Sequence, residues 1–260
     1  MFLVDSHCHL DMQEFAGDLD QVVANAVASG VKYMQTICTR LDNFPNVLGV
    51  AEKYDNIFCS VGVHPHEIDL RSIPSAEELI KLSEHPKVIG LGETGLDYYY
   101  ETSVRDAQIE SFRNHIIAAR ETGLPVIIHS RSADEDMIKI LKEEQVNGKF
   151  SGLIHCFTST KNLAEVVIEL DMYISVSGII TFKNAKDLQG IIKEIPLSRI
   201  IVETDAPYLA PTPMRGKRCE PAFTKHTAEF LADLKAVSLE EVVSSTTENF
   251  KKLFNKAILL

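Results

Sequence analysis

The chain contains 260 residues, of which 45% are apolar and 24% charged, a composition that excludes disordered, collagen-like and coiled-coil proteins. A net charge of −11 repels nucleic acid and anionic membranes in general, but it leaves room for a local basic site. Because the five cysteines lack paired spacing and no secretory signal or membrane-spanning run is found, the sequence predicts a cytoplasmic protein with reduced thiols.

Short β-branched runs alternate with longer amphipathic segments along the whole chain. Most of the short runs are almost continuously apolar, which is typical of strands buried on both faces. Eight such units fit a single (β/α)8 barrel of about 250 residues, and an open doubly wound sheet is the alternative. In chain order the predicted strands are Phe2–Asp5, Val31–Ile37, Ile57–Val63, Val88–Glu93, Pro125–His129, Gly152–Cys156, Met172–Ser177 and Arg199–Asp205. The clearest predicted helices are Asp18–Ser29, Ser103–Glu121, Ala133–Glu144 and Lys161–Leu170.

One segment, Ala206–Pro221, stands apart from this alternation. It holds four of the ten prolines and can therefore be neither a helix nor a central strand. Long irregular loops in compact domains are often functional. Neither a linker nor a low-complexity stretch divides the chain, so we expect residues 1–260 to form one domain.

Six of the nine histidines lie at or just after the end of a predicted strand. Because the strand ends make up only a small part of the chain, about one histidine would be expected there by chance. In a barrel the carboxyl ends of all strands meet at one mouth, so these side chains should converge. The histidines are joined there by Glu93, Glu203 and Asp205. The six are His7, His9, His64, His66, His129 and His155; the other three, His85, His115 and His226, are expected to be ordinary surface or packing residues.

The tripeptide His7-Cys8-His9 is the sharpest local signal. Alternate residues of an extended segment point the same way, so His7 and His9 form a pincer for a transition metal while Cys8 points away. Six candidate ligands are too many for one tetrahedral zinc and suit two cations bridged by a carboxylate, for which Glu93 is the natural candidate. These six ligands are His7, His9, Glu93, His129, His155 and Asp205.

The sequence predicts the roles of the residues beside these ligands less specifically. Asp5 shares a face with His7 and is either an acceptor for a histidine ring or a turn former at the strand end. Glu203 is expected to support the ligands from behind, and Cys156 to face away from the site as a small apolar filler. Basic charge near the mouth favours a substrate with phosphates, and is supplied by Arg131, Arg215, Lys217 and Arg218.

Other common chemistries lack their motifs: no Walker loop, no GxGxxG after a strand and no GxSxG elbow occurs. Six segments instead resemble the TatD family of metal-dependent hydrolases, in that family's order and across essentially the whole chain. They read VDSHCHLD, GVHPH, GETGLDYY, PVIIHSR, HCF and IIVETDAPYLAP. Two departures, at Phe157–Thr160 and at Cys219, lie near the expected mouth and concern substrate contacts.

The resemblance implies a barrel with two divalent cations. One would be held by His7, His9 and Asp205, the other by His129 and His155, with Glu93 shared. It further implies 3′→5′ nuclease or related phosphodiesterase activity on single-stranded DNA or RNA, with His64 and His66 lining the substrate side.

Residues and resemblance agree on hydrolysis by metal-activated water, with Asp205 as the proton acceptor and Glu93 as the shared ligand. Imidazole ligands favour Zn, Mn or Co over Mg. Two alternatives stay open: hydrolysis of an ester or amide, such as aminoacyl-tRNA deacylation, and a non-catalytic metal-bound interaction module. The sequence indicates no membrane contact and no protein partner.

Overall fold

The computed structural model describes residues 1–68, 73–100 and 104–259. Its central element is a sheet of eight parallel strands, hydrogen-bonded to one another in the order of the chain. In that order, β1 to β8 are Leu3–Cys8, Val31–Thr36, Ile57–Val61, Val88–Asp97, Val126–Arg131, Gly152–Ile154, Tyr173–Val176 and Ile200–Val202.

A helix follows each of the first seven strands, and two follow β8. Local signals set their ends: the Ser238 hydroxyl accepts from the backbone N–H of Glu241 at 3.1 Å, and Gly123, at φ 71°, ends the helix Arg105–Thr122. None of the helices within the described ranges is both long and apolar enough to cross a membrane. In those ranges, α1 to α9 are Leu19–Ala28, Phe44–Lys53, Ala76–Ser83, Arg105–Thr122, Asp134–Asn147, Lys161–Glu169, Lys186–Glu194, Thr224–Lys235 and Leu239–Leu253.

The sheet closes where the segment after β8 meets β1. The backbone N–H of Asp205 donates to the carbonyl of His7 at 2.8 Å, and the N–H of His9 donates to the carbonyl of Ala206 at 2.8 Å. A parallel bridge joins Cys8 to Ala206. These contacts confirm the predicted barrel and exclude the open doubly wound sheet.

Strand alternation divides the side chains between the outside and the inside of the barrel. On β5, Val126 and Ile128 pack outward with the helices, whereas Ile127 packs inward. Phe250 and Phe254 of α9 join the inward group, so α9 closes the amino-terminal end of the barrel. The inward group takes one residue from each strand: Val4, Tyr33, Phe58, Ile89, Ile127, Leu153, Tyr173 and Ile201.

Three strands differ from the prediction by three or more residues at their carboxyl ends. The first strand runs on to Cys8, and β8 ends at Val202, before Glu203. The larger difference is β4, which continues beyond Glu93 to Asp97 and keeps pairing with β5. The polar stretch after Glu93 does not end the strand, because that stretch is buried against β5.

Candidate metal centre

The carboxyl end of β1 carries two of the predicted ligands. His7 and His9 turn toward Asp205: the Nε2 atoms lie 3.7 Å and 3.3 Å from Asp205 Oδ1. Cys8, between them, points to the outer core and its thiol donates to the carbonyl of Gln35. The predicted pincer is therefore present, and the structure brings it to the residue that follows β8.

Glu93 lies at the centre of the cluster, and its two oxygens face different imidazoles. Its Oε2 atom is 3.3 Å from His7 Nε2. Its Oε1 atom is 2.7 Å from His155 Nε2 and 3.0 Å from His129 Nδ1. The structure thus brings all six predicted ligands together, with Glu93 between the two groups.

His64 and His66 follow β3 and lie on the same side of the barrel mouth. His64 Nε2 is 3.4 Å from Glu93 Oε1, so this imidazole belongs to the cluster itself. His66 lies further out, with its ring stacked edge-on against His64 at 4.7 Å. Both line the cavity at the barrel mouth.

Asp97 is a buried member of the site that the sequence analysis did not identify. Its Oδ2 atom is 2.9 Å from His129 Nε2 and 2.8 Å from His66 Nε2. Its Oδ1 atom accepts from the backbone N–H of Tyr99 at 2.9 Å. The signal that could have identified it is the spacing of four residues from Glu93 on one buried strand, which was missed because β4 was expected to end at Glu93.

Glu203 and Asp5 support the ligands from behind. Glu203 Oε1 lies 3.5 Å from His155 Nδ1, and the Ser175 hydroxyl donates to its other oxygen at 2.5 Å, in line with the predicted supporting role. Among the residues that the structure describes, Asp5 contacts no imidazole ring; it accepts from the backbone N–H and hydroxyl of Thr204 at 2.9 Å and 2.6 Å. Asp5 therefore fixes the end of β8 against β1.

Cys156 was expected to face away from the site, and this is wrong. It lines the cavity, and its thiol lies 3.1 Å from the Ser177 hydroxyl. The strand β6 ends at Ile154, and Cys156 adopts a φ of 44°, so strand alternation no longer sets its direction.

Charges within the cluster stabilise one another. Burial alone would raise the pKa of Glu93, but the imidazoles of His155, His64 and His7 outweigh it and hold that pKa well below its usual range. Burial would likewise raise the pKa of Asp205, which His9 and His7 lower. Both carboxyl groups are therefore anionic at neutral pH, as metal ligands must be.

The arrangement fits a bound metal. His7 is fully buried, and in the described ranges neither of its ring nitrogens makes a hydrogen bond. A buried imidazole without a hydrogen bond is costly unless a cation accepts its lone pair. Three overlapping sets of donor atoms are close enough to hold an ion: His7, Glu93 and His155; His7, His9 and Asp205; and His64, Glu93 and His129.

A cavity of about 850 Å³ opens onto this cluster at the barrel mouth. Its wall includes Arg131 but not the other three predicted cationic residues. Arg218 forms an ion pair with Asp18 at 2.7 Å, and Arg215 stacks on Phe182 at 3.9 Å. Lys217 is exposed on the loop after β8.

The three histidines expected to be ordinary lie outside this cavity. His85 pairs with Glu52, and His226 with Glu229. His115 is buried in α4, where the backbone N–H of Val63 donates to its Nε2 at 3.3 Å. It is a packing residue, and burial lowers its pKa to about 4.

Comparison with known proteins agrees with this site. A sequence profile of the family described as TatD related DNase matches residues 4–255. The uncharacterized metal-dependent hydrolase YcfH of Escherichia coli strain K12 is 43% identical over 98% of this chain and 96% of its own length. The uncharacterized metal-dependent hydrolase YabD of Bacillus subtilis strain 168 is 41% identical over 97% of this chain and 98% of its own.

A solved structure shows the same fold. The crystal structure of YJJV, a TatD homologue from Escherichia coli K12, matches with a TM-score of 0.89 and 28% identity over 97% of this chain and 98% of that one. A profile that spans almost the whole chain, two full-length relatives and a barrel mouth lined by histidine and carboxylate groups all agree. The chain belongs to the TatD family of metal-dependent hydrolases.

Proposed function

We propose that the protein is a nuclease that hydrolyses phosphodiester bonds of single-stranded DNA or RNA, removing nucleotides from the 3′ end. The observation that carries the proposal is the position of Glu93, whose two oxygens face separate imidazoles. A carboxylate so placed is suited to bridge two divalent cations, and two-metal sites are frequent in nucleases and phosphatases. The family description, TatD related DNase, supports a phosphodiester as the scissile bond.

Each cation has a proposed set of ligands. His7, His9 and Asp205 would hold one and His129 and His155 the other, with Glu93 shared. Bound divalent cations would supply hydroxide near neutral pH and stabilise charge on the phosphoryl oxygen. Because most of the donors are imidazoles, Zn, Mn or Co should bind more tightly than Mg, and Mg would act where it is abundant.

Asp205 is the proposed proton acceptor for the attacking water. Its side chain lines the cavity and is 16% exposed, so solvent reaches it while His9 and His7 keep it anionic. The same imidazoles fix the direction of the carboxylate. A charged, oriented carboxylate in contact with the cavity can both align a water molecule and accept its proton.

Cationic and imidazole groups at the mouth would hold the substrate strand. His64 and His66 line the cavity, and Arg131 on its wall is assigned the phosphate nearest to Glu93. Arg215, Lys217 and Arg218 are assigned more distant phosphates. This local positive charge would offset the net charge of −11 where the strand passes.

The reaction is assigned to residues 1–260 acting as one domain. All five cysteines are free. Free thiols persist in a reducing compartment, so we place the reaction in the cytoplasm.

The test uses purified protein with 5′-labelled single-stranded DNA, single-stranded RNA, duplex DNA and an aminoacyl ester. Each is incubated with Mg, Mn or Zn, and with EDTA as the control. The proposal expects metal-dependent shortening of the single strands from the 3′ end, abolished by EDTA. Cleavage of the ester alone would favour acyl hydrolysis, and no cleavage of any substrate would favour a non-catalytic metal-bound module.

A further inference from the structure

Two tyrosines at the rim of the cavity are unusually exposed. Tyr99 is 59% and Tyr100 55% exposed, and their rings meet at 4.7 Å in a nearly perpendicular arrangement. Tyr100 lines the cavity, and its ring lies 5.4 Å from that of His66. Neighbouring exposed aromatic rings beside a cavity are typical of a binding surface.

Arg131 completes this rim. Its guanidinium lies 4.0 Å from the ring centre of Tyr99 and 4.8 Å from that of Tyr100. Arg131 follows His129 by two residues on β5, so both side chains leave the same face of the strand. Within residues 1–68, 73–100 and 104–259, its guanidinium has no carboxylate partner, in contrast to Arg113, Arg120, Arg199 and Arg218.

The rim is fixed to the metal centre by backbone contacts. The N–H of Tyr99 donates to Asp97, whose other oxygen contacts His129. The N–H of Tyr98 donates to the carbonyl of Arg131 at 2.9 Å. Tyr98 itself is held down by a hydrogen bond from its hydroxyl to Asp136 at 2.8 Å. A ligand stacked on this rim would therefore be positioned relative to Glu93.

We propose that Tyr99, Tyr100 and Arg131 form a subsite that stacks a nucleobase of a single-stranded substrate. The inference rests on the proposed nuclease function and adds how an unpaired strand is recognised. Every nucleobase has a π-face, and stacking on tyrosine or arginine is therefore tolerant of sequence. The bases of a duplex are already stacked on one another, so the subsite selects single strands.

The chemistry of the rim favours a nucleic acid over a protein segment. An unpaired cation beside two aromatic rings matches a base and its adjoining phosphate. The experiment also detects the alternative of a peptide ligand. A peptide site would bind a strand that carries the base and a strand that lacks it equally well.

The test compares wild type with the double variant Tyr99→Leu/Tyr100→Leu. One oligodeoxynucleotide carries 2-aminopurine near its 3′ end, and a second has an abasic residue at that position. Binding is measured in EDTA by quenching of the 2-aminopurine, and cleavage with Mn present. Tyr54→Leu, at the end of α2 away from the cavity, is the matched control.

The wild type and the Tyr54→Leu control should quench 2-aminopurine and bind the base-containing strand about tenfold more tightly than the abasic strand. The double variant should lose both the quenching and this preference. Tyr99→Phe/Tyr100→Phe should restore them, because phenylalanine keeps the aromatic face. If the leucine variant binds and cleaves both strands as the wild type does, or weakens both equally, the subsite is wrong.

This experiment separates the subsite from the nuclease proposal. If the quenching depends on the tyrosines but neither strand is cleaved, the subsite is supported and the nuclease function is excluded. Cleavage of both strands at equal rates by all the proteins would keep the nuclease function and reject the subsite.

Discussion

A buried carboxylate such as Glu93 is stable only among compensating groups. Its exposed fraction is 3%, and three imidazoles together outweigh the cost of its burial. Each oxygen has a separate neighbour, Oε1 facing His155 and Oε2 facing His7. A carboxamide at this position would be isosteric but would present one oxygen and one nitrogen that cannot coordinate a cation.

Glu93→Gln should therefore lose at least one equivalent of bound metal and nearly all turnover. Elemental analysis of the purified variant measures the first, and the single-strand assay the second. The control is His226→Ala, on α8 outside the cavity, which should keep the wild-type metal content. Unchanged stoichiometry in Glu93→Gln would exclude the bridging role.

Asp205→Asn should lower the cleavage rate by about 10²–10⁴, the usual effect of removing a general base. Because Asp205 also faces His7 and His9, the rate must be measured at saturating metal. A full wild-type rate under those conditions would show that another group accepts the proton.

Asp97→Asn should weaken metal binding by roughly 10–100-fold, as loss of a carboxylate behind a histidine ligand usually does. Asparagine has one acceptor oxygen, so it cannot accept both from the backbone N–H of Tyr99 and from the imidazole of His129, and the ring of His129 loses its fixed orientation. Competition with a chromogenic chelator measures the affinity. Asp136→Asn, which alters the contact to Tyr98, is the control and should bind metal as the wild type does.

At the scale of elements, the contact between β4 and β5 sets the position of the metal centre. Gly95 pairs with His129, and a Cβ at Gly95 would lie 2.1 Å from the His129 carbonyl oxygen. Its φ of +134° also disfavours any other residue. Close approach of these strands places His129 within reach of both Glu93 and Asp97.

Gly95→Ala should destabilise the protein by about 2–6 kcal/mol, the sum of overpacking and backbone strain. Metal affinity should fall with it, because His129 must shift to relieve the clash. Urea unfolding gives the stability. Gly190→Ala, in α7 with nothing within 4 Å of its Cβ, is the matched control and should be slightly stabilising.

At the scale of the whole molecule, the metal centre joins groups that are far apart in the sequence. They come from β1, β4 and β5 and from the segments after β1, β3, β6 and β8. A cation bound by groups so distant in sequence binds the folded chain and not the unfolded one. Metal occupancy therefore stabilises the whole fold.

Removal of metal with EDTA should lower the Tm by about 5–10 °C per ion lost. At a hundredfold excess over Kd an ion contributes about 2.7 kcal/mol, and each kcal/mol corresponds to about 2–4 °C in a chain of this size. Differential scanning fluorimetry measures the shift, and excess Mn should reverse it. Glu93→Gln should show a smaller shift than the wild type; an identical shift would place the stabilising ion elsewhere.

The barrel, and the meeting of the six predicted ligands at its mouth, could be predicted from the sequence alone. Apolar runs report strands buried on both faces, and parallel strands must end at one mouth, so chain position is enough to predict that His7, His129 and Asp205 converge. These inferences depend only on local pattern and topology. They needed no knowledge of side-chain contacts.

The contacts of Asp97, Arg131 and Arg218 could be assigned only from the folded structure. The sequence cannot show that β4 continues past Glu93, because pairing with β5 stabilises a polar stretch that alone would end a strand. It also cannot show which arginine forms an ion pair. Arg218 pairs with Asp18, which is 200 residues away in the sequence, whereas Arg131 stacks on Tyr99. Such contacts form between residues that are distant in the sequence and that only folding brings close together.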